Sequence, residues 1–243
     1  MEHNEYDQII SHHYSNYRPP LHNNILSTCL SANKTYQLGL DIGCGTGQST
    51  IALSHYCNKV IGIDPCKEMI DAAVQHPKIT YQLVGGNQLP FDGQVFDVIT
   101  FAGSLYYAKS KKLLDTLIKI SKANAQIIIY DFELDTSHIL KTLCGELLNT
   151  TGSTYNHKED FSNLQTDNIF KLKSLVKKET LHIELEDIMH LLLSSQDNLK
   201  ALYSKYGHKH IEQDILTALN KIYGDTKVAI DANLYVSVYE LKK

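Results

Sequence analysis

The 243-residue sequence contains no Cys-x-x-Cys pair, and its five cysteines, Cys29, Cys44, Cys57, Cys66 and Cys144, are odd in number. Neither a disulfide framework nor a zinc knuckle is indicated, and a reducing compartment is the expectation. Basic residues are not in excess. Lys plus Arg number 23 against 27 Asp plus Glu, a net charge of −4, which argues against a general polyanion binder. No apolar run approaches the roughly 18 residues that span a bilayer, and Met1–Glu5 lacks a basic-then-apolar leader pattern. A cytoplasmic chain with no membrane and no nucleic-acid partner is expected.

What is present suits a globular protein. Apolar residues make up 43% and charged residues 21%, and the length fits one α/β core with an inserted cap. The 12 histidines make the net charge depend strongly on pH between about 5 and 7. They show no two-plus-one ligand spacing with nearby acids, so no metal is expected.

Along the chain, residues 1–35 predict two short helices around Arg18-Pro19-Pro20. From residue 36, short apolar runs alternate with helical stretches, as in βα units around a parallel sheet. The strands fall at Gln37–Ile42, Lys59–Asp64, Ile79–Val84, Phe96–Phe101 and Gln126–Phe132. Helices are expected after Gly47, from Pro65, and over Lys111–Lys122. Beyond Asp131 the alternation stops. A helix carries Ile139 to Leu147, a polar loop covers 149–168, two strand-like runs fill Phe170–Leu185, a helical segment runs from Ile188 to Tyr206, and a last strand holds Leu234–Tyr239.

The strongest motif is Leu40-Asp41-Ile42-Gly43-Cys44-Gly45-Thr46-Gly47-Gln48, a strand entering three alternating glycines and then a helix. Glycines there let the backbone bend and approach a ligand. Alone, they describe a tight βα turn equally well. Seventeen residues after Gly47 stands Asp64, at the end of the next strand, where doubly wound sheets place an acid on an adenosine ribose. The same Asp can cap the following helix, and the two roles are compatible.

LDIGCGTG (40–47), VIGIDPCKEMIDAA (60–73), LPF (89–91) and FDVIT (96–100) together resemble the class I S-adenosylmethionine-dependent methyltransferases, within them the small-molecule group called type 11. YSNYRPP (14–20) is similar to the amino-terminal segment of the trans-aconitate methyltransferase-like branch, which folds over the cofactor. The resemblance implies a doubly wound, seven-stranded, mostly parallel Rossmann-like sheet with a helical lid. It implies a lid segment at 1–35, a cofactor-binding core at 36–136, and cap helices with the last strands at 137–243.

It also implies roles. Gly43, Cys44, Gly45 and Gly47 would meet the methionine part of S-adenosylmethionine, with Asp41 near its ammonium group. Asp64 would hold the ribose. Pro65 and Met69 would lie against the adenine, although Met69 reads equally well as helix core. Ala102 would end the fourth strand beside the cofactor. Arg18 would clamp the carboxylate with its planar fork, and Tyr14 and Tyr17 would close the pocket or pack hydrophobically. The sequence departs from the pattern in two places. Val84-Gly85-Gly86-Asn87-Gln88 lacks the usual acid, which leaves adenine to backbone groups or to Asn87 and Gln88. Ala102–Tyr107 lacks the branch's His-Trp pair, as the chain has no tryptophan.

The expected activity is in-line methyl transfer from S-adenosylmethionine to a small-molecule acceptor, in a monomer or homodimer. A carboxylate acceptor needs no base; other acceptors would use Tyr14 or Tyr106, or else Tyr107 or His138. The run Lys171, Lys173, Lys177 and Lys178 reads as a solvated face or, less simply, an anion contact. Alternatives are a non-catalytic S-adenosylmethionine-binding protein and a nicotinamide-dependent oxidoreductase. The glycine spacing counts against the latter, since the dinucleotide fingerprint is Gly-x-Gly-x-x-Gly.

Overall fold

A computed structural model describes residues 9–10, 12–14, 17–85, 89–145, 155–164, 166–224 and 226–242. Strand β1 (Tyr36–Ile42) is the first strand of a sheet that also holds β2 (Cys57–Asp64), β3 (Ile79–Leu83) and β4 (Phe96–Ala102). The sheet continues through β5 (Ser121–Leu134), β6 (Ile169–Ile183) and β7 (Val228–Leu241). The order across it is β3-β2-β1-β4-β5-β7-β6. Leu40 of β1 stands opposite Ile61 of β2 and Ile99 of β4, both parallel pairs, and β2–β3 and β4–β5 are parallel as well. The order runs outward from β1 to β3 and resumes on the other side at β4, so the reversal lies between β1 and β4. Open α/β sheets bind ligands outside the carboxyl ends of their strands at such a point.

The central strands are apolar along their length because helices cover both faces of a parallel sheet. Leu40, Val98, Ile99, Phe101, Ile127 and Ile128 are all fully buried. Helices α1 (Leu21–Ser27), α2 (Gln48–Ser54), α3 (Lys67–Asp71), α4 (Leu105–Ala108) and α5 (Lys111–Ile120) accompany these strands. Helix α5 shows how sequence writes such a layer. Leu113, Leu114, Leu117 and Ile120 form its buried stripe, and Ser110 caps it by accepting the Leu113 N–H at 3.1 Å.

The chain divides into two compact units. The larger takes Pro20–Phe132, Tyr155–Lys177 and Leu234–Lys243. The other takes Met1–Pro19, Glu133–Thr154 and Lys178–Asn233, with helices α6 (Ser137–Cys144), α7 (Leu185–Leu193), α8 (Gln196–Tyr206) and α9 (Ile211–Tyr223). Ile188, Leu192, Leu199, Leu202, Ile215 and Leu219 are the fully buried centre of this helical unit.

Several boundaries differ from the sequence reading. Helix α3 opens at Lys67 rather than Pro65, because Asp64 Oδ1 accepts the Cys66 N–H at 2.9 Å and makes a side-chain turn of the intervening residues. The chain enters β5 directly at Ser121, where a helix to Lys122 and a strand from Gln126 were expected. The two runs in 170–185 are one strand, β6. The segment from Ile188 to Tyr206 is two helices, parted at Ser194–Ser195. Helix α9, not anticipated from sequence, buries Ile211, Ile215 and Leu219 at four-residue spacing.

Candidate active site

The turn after β1 is built from backbone that only glycine adopts readily. Gly43, Gly45 and Gly47 have φ of 71°, 53° and 92°. The N–H groups of Gly43 and Cys44 both donate to the Ile63 carbonyl, at 2.8 and 3.0 Å, which ties the turn to β2. A Cβ on Gly43 would lie 2.4 Å from Ser104 Cβ, and one on Gly47 would lie 2.1 Å from the Tyr81 hydroxyl. At Gly45 nothing lies within 4 Å of that position. The turn is closed against the protein at two glycines and open at the third.

Two carboxylates organise it. Asp64, at the end of β2, accepts the Gly45 N–H on Oδ2 and the Cys66 N–H on Oδ1, both at 2.9 Å. Each oxygen of an ionised carboxylate keeps a further lone pair. Asp64 is therefore oriented beside the open glycine, with acceptor capacity left for hydroxyl donors. Capping and ligand roles coexist in this residue, as its position in the sequence allows.

Asp41, the second carboxylate, is enclosed. Its carboxylate is wholly buried; Oδ2 accepts from Ser49 Oγ at 2.6 Å and Thr50 Oγ1 at 2.7 Å, and Oδ1 accepts from Thr100 Oγ1 at 2.7 Å. Burial pushes its carboxyl above the usual range, against the pull of the three hydroxyls. These bonds fasten β1 to α2 and β4 beneath the turn.

The remaining expected residues fall in three groups. Cys44 is buried in the turn, with its thiol pushed up by desolvation; Pro65 is exposed, and Met69 on α3 and Ala102 at the end of β4 are half-buried. Asn87 and Gln88 lie outside the described residues. Tyr14, Tyr17 and Arg18 belong to the helical unit: the Arg18 guanidinium sits 4.3 Å from the Tyr14 ring centroid, and Tyr17 packs on that unit's core. His138 is an exposed residue of α6 in the same unit.

A cleft of ≈ 180 Å³ adjoins the turn within the larger unit. Ser104, whose side chain abuts Gly43, donates Oγ–H to the Ile42 carbonyl, and the preceding Gly103 is already part of the cleft wall. Tyr106 lines it, as do Asp131, Tyr155, His157 and Tyr235. The Tyr155 hydroxyl shares its one proton between the Gly103 carbonyl at 2.5 Å and Asp131 Oδ2 at 2.9 Å; Oδ2 also faces His157 Nδ1 at 2.8 Å, while Oδ1 accepts the Phe132 N–H at 2.7 Å. An ionised carboxylate only accepts, so Nδ1 carries the proton.

Sequence reasoning missed this group. Asp131 follows the apolar run Ile127–Tyr130 with Glu133 two residues on, and His157 and Tyr155 sit in an irregular segment with no periodicity to mark them. Part of the lysine run is already engaged: Lys171 pairs with Asp160 at 2.6 Å, Lys178 with Asp231 at 2.7 Å, and Lys173 donates to the Thr28 carbonyl at 2.8 Å. Among the described residues, no three His, Cys, Asp or Glu side chains are grouped to hold a metal ion.

Comparison with known proteins agrees with this geometry. Residues 40–126 match the methyltransferase domain family. A Dictyostelium discoideum protein named as a methyltransferase is 30% identical over 133 residues, 51% of this chain and 48% of the relative. The chain thus spans about half the length of the curated relative it matches. Among solved structures, a type II methyltransferase from Anaeromyxobacter dehalogenans superposes with a TM-score of 0.68 at 17% identity, covering 91% of this chain and 97% of that one. The N-methyltransferase NodS from Bradyrhizobium japonicum, solved with S-adenosyl-L-homocysteine, gives 0.51 at 14% identity over 91% and 86%. Residues 40–126 thus match the methyltransferase domain family, and the strand order with its glycine turn and downstream acid is that of the Rossmann-like methyltransferase fold.

Proposed function

We propose that the chain transfers a methyl group from S-adenosylmethionine to a small-molecule acceptor held in the cleft beside the glycine turn. The observation that carries this reading is the adjacency of the two: Gly43 abuts Ser104, and the cleft wall begins at Gly103. When bound, S-adenosylmethionine supplies an electrophilic methyl group on a positively charged sulfur. The chain's residues fit such a group. The open face at Gly45 admits it, and Asp64 is pre-oriented to accept from ribose hydroxyls.

The cleft holds a small acceptor near the turn and aligns it there. Alignment and water exclusion supply much of the acceleration when the leaving group is already good. A net charge of −4 supports a small acceptor over a nucleic acid. No helix among the described residues is long and apolar enough to cross a membrane. The five thiols, all free, fit a reducing compartment such as the cytoplasm.

The test is calorimetric titration with S-adenosylhomocysteine, followed by radiolabelled methyl transfer to a panel of phenols, amines and carboxylic acids. Binding with saturable transfer to one class is the expected result. Binding without transfer to any of them would favour a non-catalytic cofactor-binding protein.

A further inference from the structure

We propose that His157, positioned by Asp131, is the proton acceptor for methylation of a flat, hydroxyl-bearing acceptor, a phenol or an enol, seated among the tyrosines of the cleft. This deepens the methyl-transfer reading above and rests on it.

Position is the first argument. Asp131 follows the buried run Ile127–Tyr130 of β5 and lies beside Gly103; a Cβ on Gly103 would meet Asp131 Oδ1 at 3.2 Å and the Tyr155 hydroxyl at 3.5 Å. The dyad's carboxylate therefore lies beside the residue that precedes Ser104, and Ser104 abuts the glycine turn. Orientation is the second. With Nδ1–H donated to Asp131 at 2.8 Å, the ring is fixed in the tautomer whose Nε2 takes a proton, and the carboxylate stabilises the imidazolium that results.

The walls give the substrate class. Tyr155 lies 4.7 Å from Tyr106 and 4.7 Å from His157, ring centre to ring centre, and His157 stacks on Tyr235 at 6.1 Å with 24° between planes. The rings touch one another and make one aromatic wall, a face on which a planar guest can stack. The cleft's charges largely cancel, and the carboxylate that remains beside the imidazole, Asp131, disfavours a carboxylate guest at that point. Asp131, Glu159 and Asp160 all line the cleft; Glu159 is paired with Lys109 and Asp160 with Lys171, while the Lys158 ammonium lies over Tyr235. Asp131 is the carboxylate at its inner end, next to the imidazole.

The acceptor's O–H proton passes to His157 Nε2 as the oxygen bonds to the methyl carbon, and the carbon–sulfur bonding pair stays on sulfur. The products are a methyl ether, S-adenosylhomocysteine and an imidazolium that returns its proton to water.

The probe is para-nitrophenol, whose phenolate has its own absorption band, added to full-length protein saturated with S-adenosylhomocysteine at a pH where the free phenol is largely protonated. Wild type should raise the phenolate band. H157Q should bind S-adenosylhomocysteine normally yet leave the band at the level of the free phenol, and its methyl transfer to para-nitrophenol should fall about a hundredfold. Nitrogen-15 NMR of the His157 ring should show the Nδ1–H tautomer in wild type and a shift toward Nε2–H in D131N, a change that loss of packing alone would not give. An equal phenolate band in H157Q, no binding of para-nitrophenol, or tighter binding of benzoate overturns the proposal. Failure of wild type to bind S-adenosylhomocysteine would instead overturn the methyl-transfer reading, and this proposal with it.

Discussion

Asp64 Oδ2 accepts the backbone N–H of Gly45 at 2.9 Å, across 19 residues of sequence. One carboxylate thus holds the glycine turn in shape and faces the space in front of it. Asp64→Ala should weaken S-adenosylhomocysteine binding at least tenfold, about 1.4 kcal/mol, by removing a charge-assisted acceptor. It should also lower the melting temperature of the ligand-free protein, since the Gly45 and Cys66 N–H groups lose their partner. Calorimetry and melting on the same variant separate the two effects; wild-type affinity would remove the ribose assignment.

Gly43 and Ser104 are in steric register. An alanine at Gly43 would meet Ser104 Cβ at 2.4 Å and would also hold φ at 71°. Gly43→Ala should destabilise the fold by about 1–3 kcal/mol. Ser104→Ala should not rescue it, because the clashing atom is Cβ. Ser104→Gly should recover the steric part and leave the cost of the backbone angle. Urea midpoints of the single and double variants give the comparison, and rescue by Ser104→Ala would refute the steric account.

What sequence made legible was what short-range physics dictates. Apolar runs such as Phe96–Phe101 appear as buried parallel strands, and the glycines at 43, 45 and 47 make the bend expected of them, each with positive φ. Asp64 lands beside the turn because β1 and β2 pair in parallel, Asp41 opposite Gly62. The enclosure of Asp41 was not legible: Ser49 and Thr50 are near in sequence, but Thr100 comes 59 residues later from a strand whose register only the sheet decides. His157 was illegible for the same reason. Its partner Asp131 lies 26 residues upstream, and no periodic pattern links an irregular segment to a strand end.

Thr100→Val tests the bracing role of Asp41. The substitution keeps shape and removes one of three hydroxyl donors from a carboxylate that is wholly buried. A hydrogen bond to a charged group contributes about 1.5–3 kcal/mol. The loss should appear in ligand-free urea denaturation and should shrink when Asp41→Asn is made in the same chain, as a neutral amide needs fewer donors. Additive losses in the double variant would mean that the two groups are not coupled.

His13 offers a pH prediction in the helical unit. It is buried, its Nδ1 lies 2.8 Å from His190 Nδ1, and its Nε2 lies 3.6 Å from Glu212. Burial lowers its pKa to about 4; Glu212 opposes that, while His190 and His12 add to it. The folded pKa thus lies below the ordinary histidine value of 6.5. The unfolded chain takes up this proton before the folded one does, so stability is full above pH 6.5 and falls as pH drops toward 4. The slope from one such group is at most about 1.4 kcal/mol per pH unit. His13→Gln, which cannot titrate, should flatten the decline in that window when unfolding is followed by urea at a series of pH values. An unchanged slope would place the acid sensitivity on another group.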